Sequence, residues 1–123
     1  HVEITAEAIS GETARPHEMQ AVAHVIRNRV ESPNHPNTPA AVVLEPGAFT
    51  PMRTRTHVTH DTAYTIARRA LLERSRDPTD GATYFYSPVS MEPQWSAPYW
   101  ARHLPEQDVP SVASGRFRFH RSR

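Results

Sequence analysis

The chain has 123 residues, 37% of them hydrophobic, with a formal charge of +1. That length supports one modest core, so residues 1–123 are expected to form a single domain. The absence of cysteine excludes disulfides, thiolate metal sites and a cysteine nucleophile, and so slight a charge gives no argument for nucleic acid.

No apolar run approaches the roughly 20 residues needed to span a membrane. The opening on His1 suits a processed product or an excised domain. All 14 basic residues are arginine. This reads first as codon bias, although the guanidinium fork also grips anionic or polyhydroxylated ligands. Twelve prolines against four glycines predict stiff loops, clustered at 33–51 and 88–110.

Ile4, Ala8 and Ile9 recur at helical spacing among small residues, predicting a buried first helix over 3–12. Pro16 suits the first turn of a second helix. Its apolar stripe is Met19, Val22, Ala23, Ile26 and Val30. A loop follows at 32–37, and Thr38-Pro39 reads as a cap and first turn of a short helix through Val42 and Leu44. Ala48-Phe49-Thr50-Pro51 is expected to be extended. A longer helix is predicted from about 59 to 74, with Ala63, Ile66, Ala67, Ala70 and Leu71 facing the core. Asp77-Pro78-Thr79-Asp80-Gly81 is a turn cluster. Thr83-Tyr84-Phe85-Tyr86 has strand-like content, 95–103 has room for one or two helical turns, and Arg116 to His120 alternates as a short strand. The expected class is mainly α (α+β), with a helical core, irregular loops and minor short strands.

The stretch richest in chemical meaning is Ala8-Ile9-Ser10-Gly11-Glu12, which ends a small-residue helix on one carboxylate. A lone glutamate against a helical core is what a glycan-cleaving enzyme needs as proton donor. His57, His60 and Asp61 have a spacing compatible with zinc, yet no His-Glu-x-x-His pattern exists, so no metal is assigned.

The run Ala8 to Glu12, with Ala21-Val22-Ala23-His24-Val25-Ile26-Arg27-Asn28-Arg29-Val30, resembles the bacterial cell-wall hydrolases of the spore-cortex-lytic type. Glu45-Pro46-Gly47-Ala48-Phe49-Thr50, the segment Asp77 to Tyr86 and the closing Gly115 to Phe119 carry the likeness along nearly the whole chain. The resemblance implies a lysozyme-like fold of the lytic transglycosylase kind. It implies peptidoglycan glycan strands as partner, cut between N-acetylmuramic acid and N-acetylglucosamine, and no cofactor. It also implies action in the cell wall or periplasm, after export or carriage by a phage-like particle.

In such a reaction the acid protonates the leaving oxygen as oxocarbenium character develops. An ordinary glutamate, with a pKa of about 4.3, must be raised towards roughly 6 for this work. Glu12 is the candidate catalytic residue. Asp61, Asp77, Asp80 and Asp108 sit in no motif that pairs them with it, which favours a one-carboxylate mechanism. Sugar rings present apolar faces, so Tyr84, Tyr86, Phe49, Thr50, Trp95 and Trp100 are candidate substrate-binding residues. Tyr84 and Tyr86 would share a face of an extended segment.

Two departures from the family pattern stand out. Gly11-Glu12-Thr13-Ala14-Arg15-Pro16-His17-Glu18 is about two residues short, leaving the usual second glutamate without a match. Phe117 occupies a position where the family often has histidine, and His120 is no established substitute. These departures keep a non-catalytic peptidoglycan-binding module as the alternative, with a zinc amidase or peptidase third. Plainer roles are also expected: Glu18 as a first-turn charge at the helix dipole, Asn28 and Arg29 bonding loop carbonyls, and the tail arginines as a frayed basic end.

Overall fold

The computed structural model describes residues 1–45, 61–88 and 98–122. Among these residues four helices come first, α1 (Val2–Glu12), α2 (Pro16–Val30), α3 (Pro39–Val43) and α4 (Asp61–Leu71). Three short strands follow, β1 (Tyr84–Tyr86), β2 (Glu106–Gln107) and β3 (Arg118–His120), with a 3-10 turn at Tyr99–Arg102.

Helix α2 is the centre of the core. Pro16 opens it, Glu18 lies in its first turn, and Arg27 and Arg29 lie in its last, where each charge suits the helix dipole. Met19, Val22, Ala23 and Ile26 are buried as the stripe predicts, but so are Ala21, His24 and Val25. The helix is therefore enclosed on nearly every side, as a central helix must be.

Helices α1 and α4 close around it through small side chains. Thr5, Ala6 and Ala8 of α1 and Ala63, Ala67 and Ala70 of α4 are fully buried. Short side chains at a helix crossing let the backbones approach closely. Helix α3 begins as predicted, the Thr38 hydroxyl accepting from Ala41 N at 3.2 Å with Pro39 in the first turn.

The sheet is antiparallel, in the order β1-β3-β2, with Tyr84 opposite His120 and Phe85 opposite Phe119. Alternation sends Phe85 and Phe119 to the core, their rings 6.4 Å apart, beside Phe117. Tyr84, Tyr86 and His120 take the other face. Because β3 is the middle strand, the tail is a structural member. Arg116 and Arg118 are thus not part of a frayed end, contrary to the sequence expectation. The pairing of Glu106 and Gln107 with β3 was not signalled by the sequence, since a two-residue strand has no periodicity to read.

Candidate active site

Three pieces of backbone meet around the C-terminal end of α2. Asn28 Nδ2 donates to Asp77 Oδ2 at 2.8 Å and to the Ala82 carbonyl at 2.9 Å. Arg29 Nε donates to the Thr83 carbonyl at 2.5 Å. The Asn28-Arg29 pair thus holds the turn that launches β1, the structural task expected of it.

The turn is also locked from within. Asp77 Oδ1 accepts from Thr79 N and Oγ1 at 2.8 and 2.7 Å, and Oδ2 accepts from Gly81 N at 2.9 Å. Burial pushes the Asp77 carboxyl up, but the hydrogen bonds from Thr79, Asn28 and Gly81 outweigh it and hold the pKa below the ordinary value. Asp80 and Gly81 have φ of 52° and 90°, and in that left-handed region glycine is the residue without steric cost.

What this turn presents is an aromatic face. Tyr84 and Trp100 have ring centres 4.9 Å apart, and Tyr86 meets Trp100 edge-on at 5.7 Å. Three of the sequence candidates therefore come together, with Tyr84 and Tyr86 on one face of β1. His120 joins them, 5.3 Å from Trp100 and 6.0 Å from Tyr86, its Nδ1 3.0 Å from the Leu104 carbonyl. His35 sits edge-on to Tyr84 at 5.8 Å and 3.5 Å from Glu45. The Nε2 atoms of both histidines are buried without a hydrogen-bond partner among the described residues. The sequence reading gave His35 no role and weighed His120 only as a substitute for the family's tail histidine. The one available signal was the alternation Arg118-Phe119-His120, which puts His120 on the face opposite Phe119.

Glu12 occupies the last turn of α1, half-buried, with Ile9 fully buried one turn earlier. It lies near the N-terminal end of α2, whereas Tyr84 lies beside Arg29 at the far end. The 15 residues of α2 separate these ends by about 22 Å along the axis. Tyr84 is thus at the end of α2 away from the Glu12–Pro16 connection, whereas Tyr86 pairs with Arg118, two residues from the Arg116 that bonds Glu18 in the first turn. Phe49, Thr50 and Trp95 fall outside the described residues, as do His57 and His60.

Behind Glu12 is a clasp that the sequence did not announce. Glu18 is buried and accepts from Thr13 Oγ1 at 2.5 Å and from Arg116 Nε and Nη2, each at 3.1 Å. Burial raises its pKa, but the bonds and charge from Arg116, the Thr13 bond and the charge of Arg15 outweigh this and leave it below the ordinary value. Glu18 is the first-turn charge expected from the sequence, and it is in addition buried and anchored by Thr13 and Arg116, which commits its carboxylate to other partners.

The described residues define a mostly helical class of domain with a small antiparallel sheet, a carboxylate at a helix end and an aromatic face along the sheet. Comparison with known proteins narrows the class. The model of the cell wall hydrolase family matches residues 7–105, and the chain belongs to that family. It is 37% identical over 106 residues to the spore cortex-lytic enzyme of Halalkalibacterium halodurans, covering 82% of this chain and 30% of that protein. The spore cortex-lytic enzyme of Bacillus cereus is 35% identical over 105 residues, with coverages of 82% and 39%. The chain thus spans about a third of these relatives' length.

Among solved structures, the catalytic domain of the Bacillus cereus SleB protein superposes with a TM-score of 0.77 at 28% identity, covering 98% of this chain and 88% of that one. The catalytic domain of the germination-specific lytic transglycosylase SleB from Bacillus anthracis gives 0.76 at 29%, covering 98% and 93%. The expected fold class, α-helical with minor strands, is thereby established.

Proposed function

We propose that residues 1–123 are one catalytic domain that cleaves the peptidoglycan glycan strand as a lytic transglycosylase, with Glu12 as its acid and base. The observation that carries this reading is the likeness of 98% of the chain to SleB catalytic domains, one of them described as a lytic transglycosylase. Glu12 protonates the glycosidic oxygen between N-acetylmuramic acid and N-acetylglucosamine. The bond from that oxygen to muramic C1 breaks, and oxocarbenium character develops at C1. The Glu12 carboxylate then takes the proton from the muramic C6 hydroxyl, whose oxygen bonds to C1. The products are a 1,6-anhydromuramic end and a free N-acetylglucosamine hydroxyl, with no water consumed.

One carboxylate serves both transfers, consistent with the ionised and committed states of Asp77 and Glu18. The aromatic face of Tyr84, Tyr86 and Trp100 is the proposed platform for sugar rings, and Phe49, Thr50 and Trp95 are proposed to complete the groove.

Such an enzyme acts outside the cytoplasm, on wall or cortex peptidoglycan. No helix among the described residues is long and apolar enough to cross a membrane. The relatives compared are spore cortex-lytic enzymes, so a phage-like carrier has no support among them. The test is digestion of purified peptidoglycan followed by mass spectrometry of the ends. Anhydromuramic ends are expected; reducing muramic ends would mean hydrolysis by an activated water, and intact strands would favour the non-catalytic binding module.

A further inference from the structure

The shortened segment after Glu12 ends in the clasp described above, and its geometry has a direction. Thr13 is bonded to Glu12 through the chain, and its backbone N–H closes the last turn of α1 onto the Ile9 carbonyl at 3.2 Å. Its hydroxyl has two partners, donating to Glu18 Oε1 at 2.5 Å and accepting from Arg15 N at 3.1 Å. Glu18 is in turn held by Arg116 Nε and Nη2, and Arg116 stands two residues before β3, the middle strand of the sheet. One bonded path therefore runs from the end of α1, through the first turn of α2, to the strand that carries His120.

We propose that Thr13, fixed by Glu18 and Arg116, is the positioning residue for Glu12, and that this clasp sets the distance between the acid and the sheet across the groove. The inference rests on the assignment of Glu12 as the acid. Helix ends fray unless their last turn is tied, and a carboxylate in a fraying turn samples many positions. Proton delivery tolerates little of this, since displacements near 1 Å cost on the order of 100-fold. The bonds made by Thr13 and Glu18 remove that freedom without touching substrate. Arg116 then indexes β3 to the same point. About four residues of extended chain, roughly 13 Å, lead from Arg116 to His120.

The experiment compares Thr13→Val, Thr13→Ser and Arg116→Gln in the 123-residue chain. Valine keeps the volume and branching of threonine but removes the hydroxyl. Thr13→Val is expected to lower kcat by about tenfold or more with KM nearly unchanged, and Thr13→Ser to restore most of that loss. A role confined to stability would lower Tm and leave kcat intact below the transition, and that result overturns the proposal. Arg116 is partly exposed, so Arg116→Gln supplies a variant that tolerates loss of the side chain; it should lower kcat in the same sense. If the wild type cuts no glycan, the reading of function fails by itself. The clasp is then judged by hydrogen exchange at the Thr13 amide, expected to quicken about tenfold in Thr13→Val and Arg116→Gln. Unchanged exchange overturns it.

Discussion

Arg29 donates from Nε to the Thr83 carbonyl at 2.5 Å while its guanidinium carbon lies 5.4 Å from the centre of the Tyr84 ring. One side chain thus fixes both the backbone entering β1 and the first aromatic ring on it. Glu45, 3.6 Å from Nη1, balances the charge. A planar fork does this where a flexible ammonium cannot.

Arg29→Lys is accordingly expected to destabilise the domain by about 1–3 kcal/mol, because a buried carbonyl loses its charged donor. Urea unfolding followed by circular dichroism reads the effect. An unchanged midpoint would show that β1 is held by Asn28 and the Asp77 turn alone.

The second expectation concerns the departure at Phe117. Its side chain is 4% exposed and packs 6.2 Å from Phe85 and 6.4 Å from Phe119. Phe117→His places an imidazole among these rings, costing about 1–3 kcal/mol for the polar group. Thermal unfolding should show a lower Tm with no gain in activity. A gain would mean that the family's histidine role can be restored in this chain.

These two residues show what was legible in the sequence. Elements with a long periodic face or a chemical cap, α1, α2 and α3, were readable because period and capping are local. The role of Asn28 and Arg29 was readable because a polar pair at a helix end beside a turn cluster has carbonyls to satisfy. The Glu18–Arg116 pair was not, since its partners lie 98 positions apart in the chain and nothing local links a first-turn acid to a tail arginine. The same holds for His120, whose surroundings depend on β3 becoming the middle strand. α4 ends at Leu71, short of the expected residue 74. Arg74 is at φ 52° just beyond, and Ser75 N reaches back to the Arg69 carbonyl at 3.1 Å; this is a left-handed cap that apolar spacing does not announce.

A third expectation follows from His24, fully buried in α2 with Nε2 3.1 Å from Ser75 Oγ. Burial lowers its pKa below 6.5; Asp77 opposes this and Arg27 adds to it. The unfolded chain therefore takes up a proton on His24 before the folded one does. Its contribution is complete above about pH 6.5 and shrinks as pH falls from there to the depressed folded pKa. Urea midpoints should decline between pH 7 and pH 5, and His24→Gln should flatten that slope. An equal slope in the variant would assign the decline to other groups.

For the aromatic face, Trp100 is the informative position, since it touches Tyr84, Tyr86 and His120 together. Trp100→Ala is expected to raise KM for glycan up to about tenfold, in line with roughly 1 kcal/mol per aromatic contact, with Trp100→Phe intermediate. Digestion at varied peptidoglycan concentration checks this. Unaltered KM in Trp100→Ala would confine the cluster to packing.

The most direct measurement compares wild type and Glu12→Gln on the same purified peptidoglycan, with circular dichroism to verify that both are folded. Glutamine keeps the size and polarity of the side chain and removes only its ability to give and take a proton. Anhydromuramic ends from the wild type and none from the folded variant are the predicted result. Equal cleavage by both proteins would contradict the assignment of Glu12 and with it the one-carboxylate account.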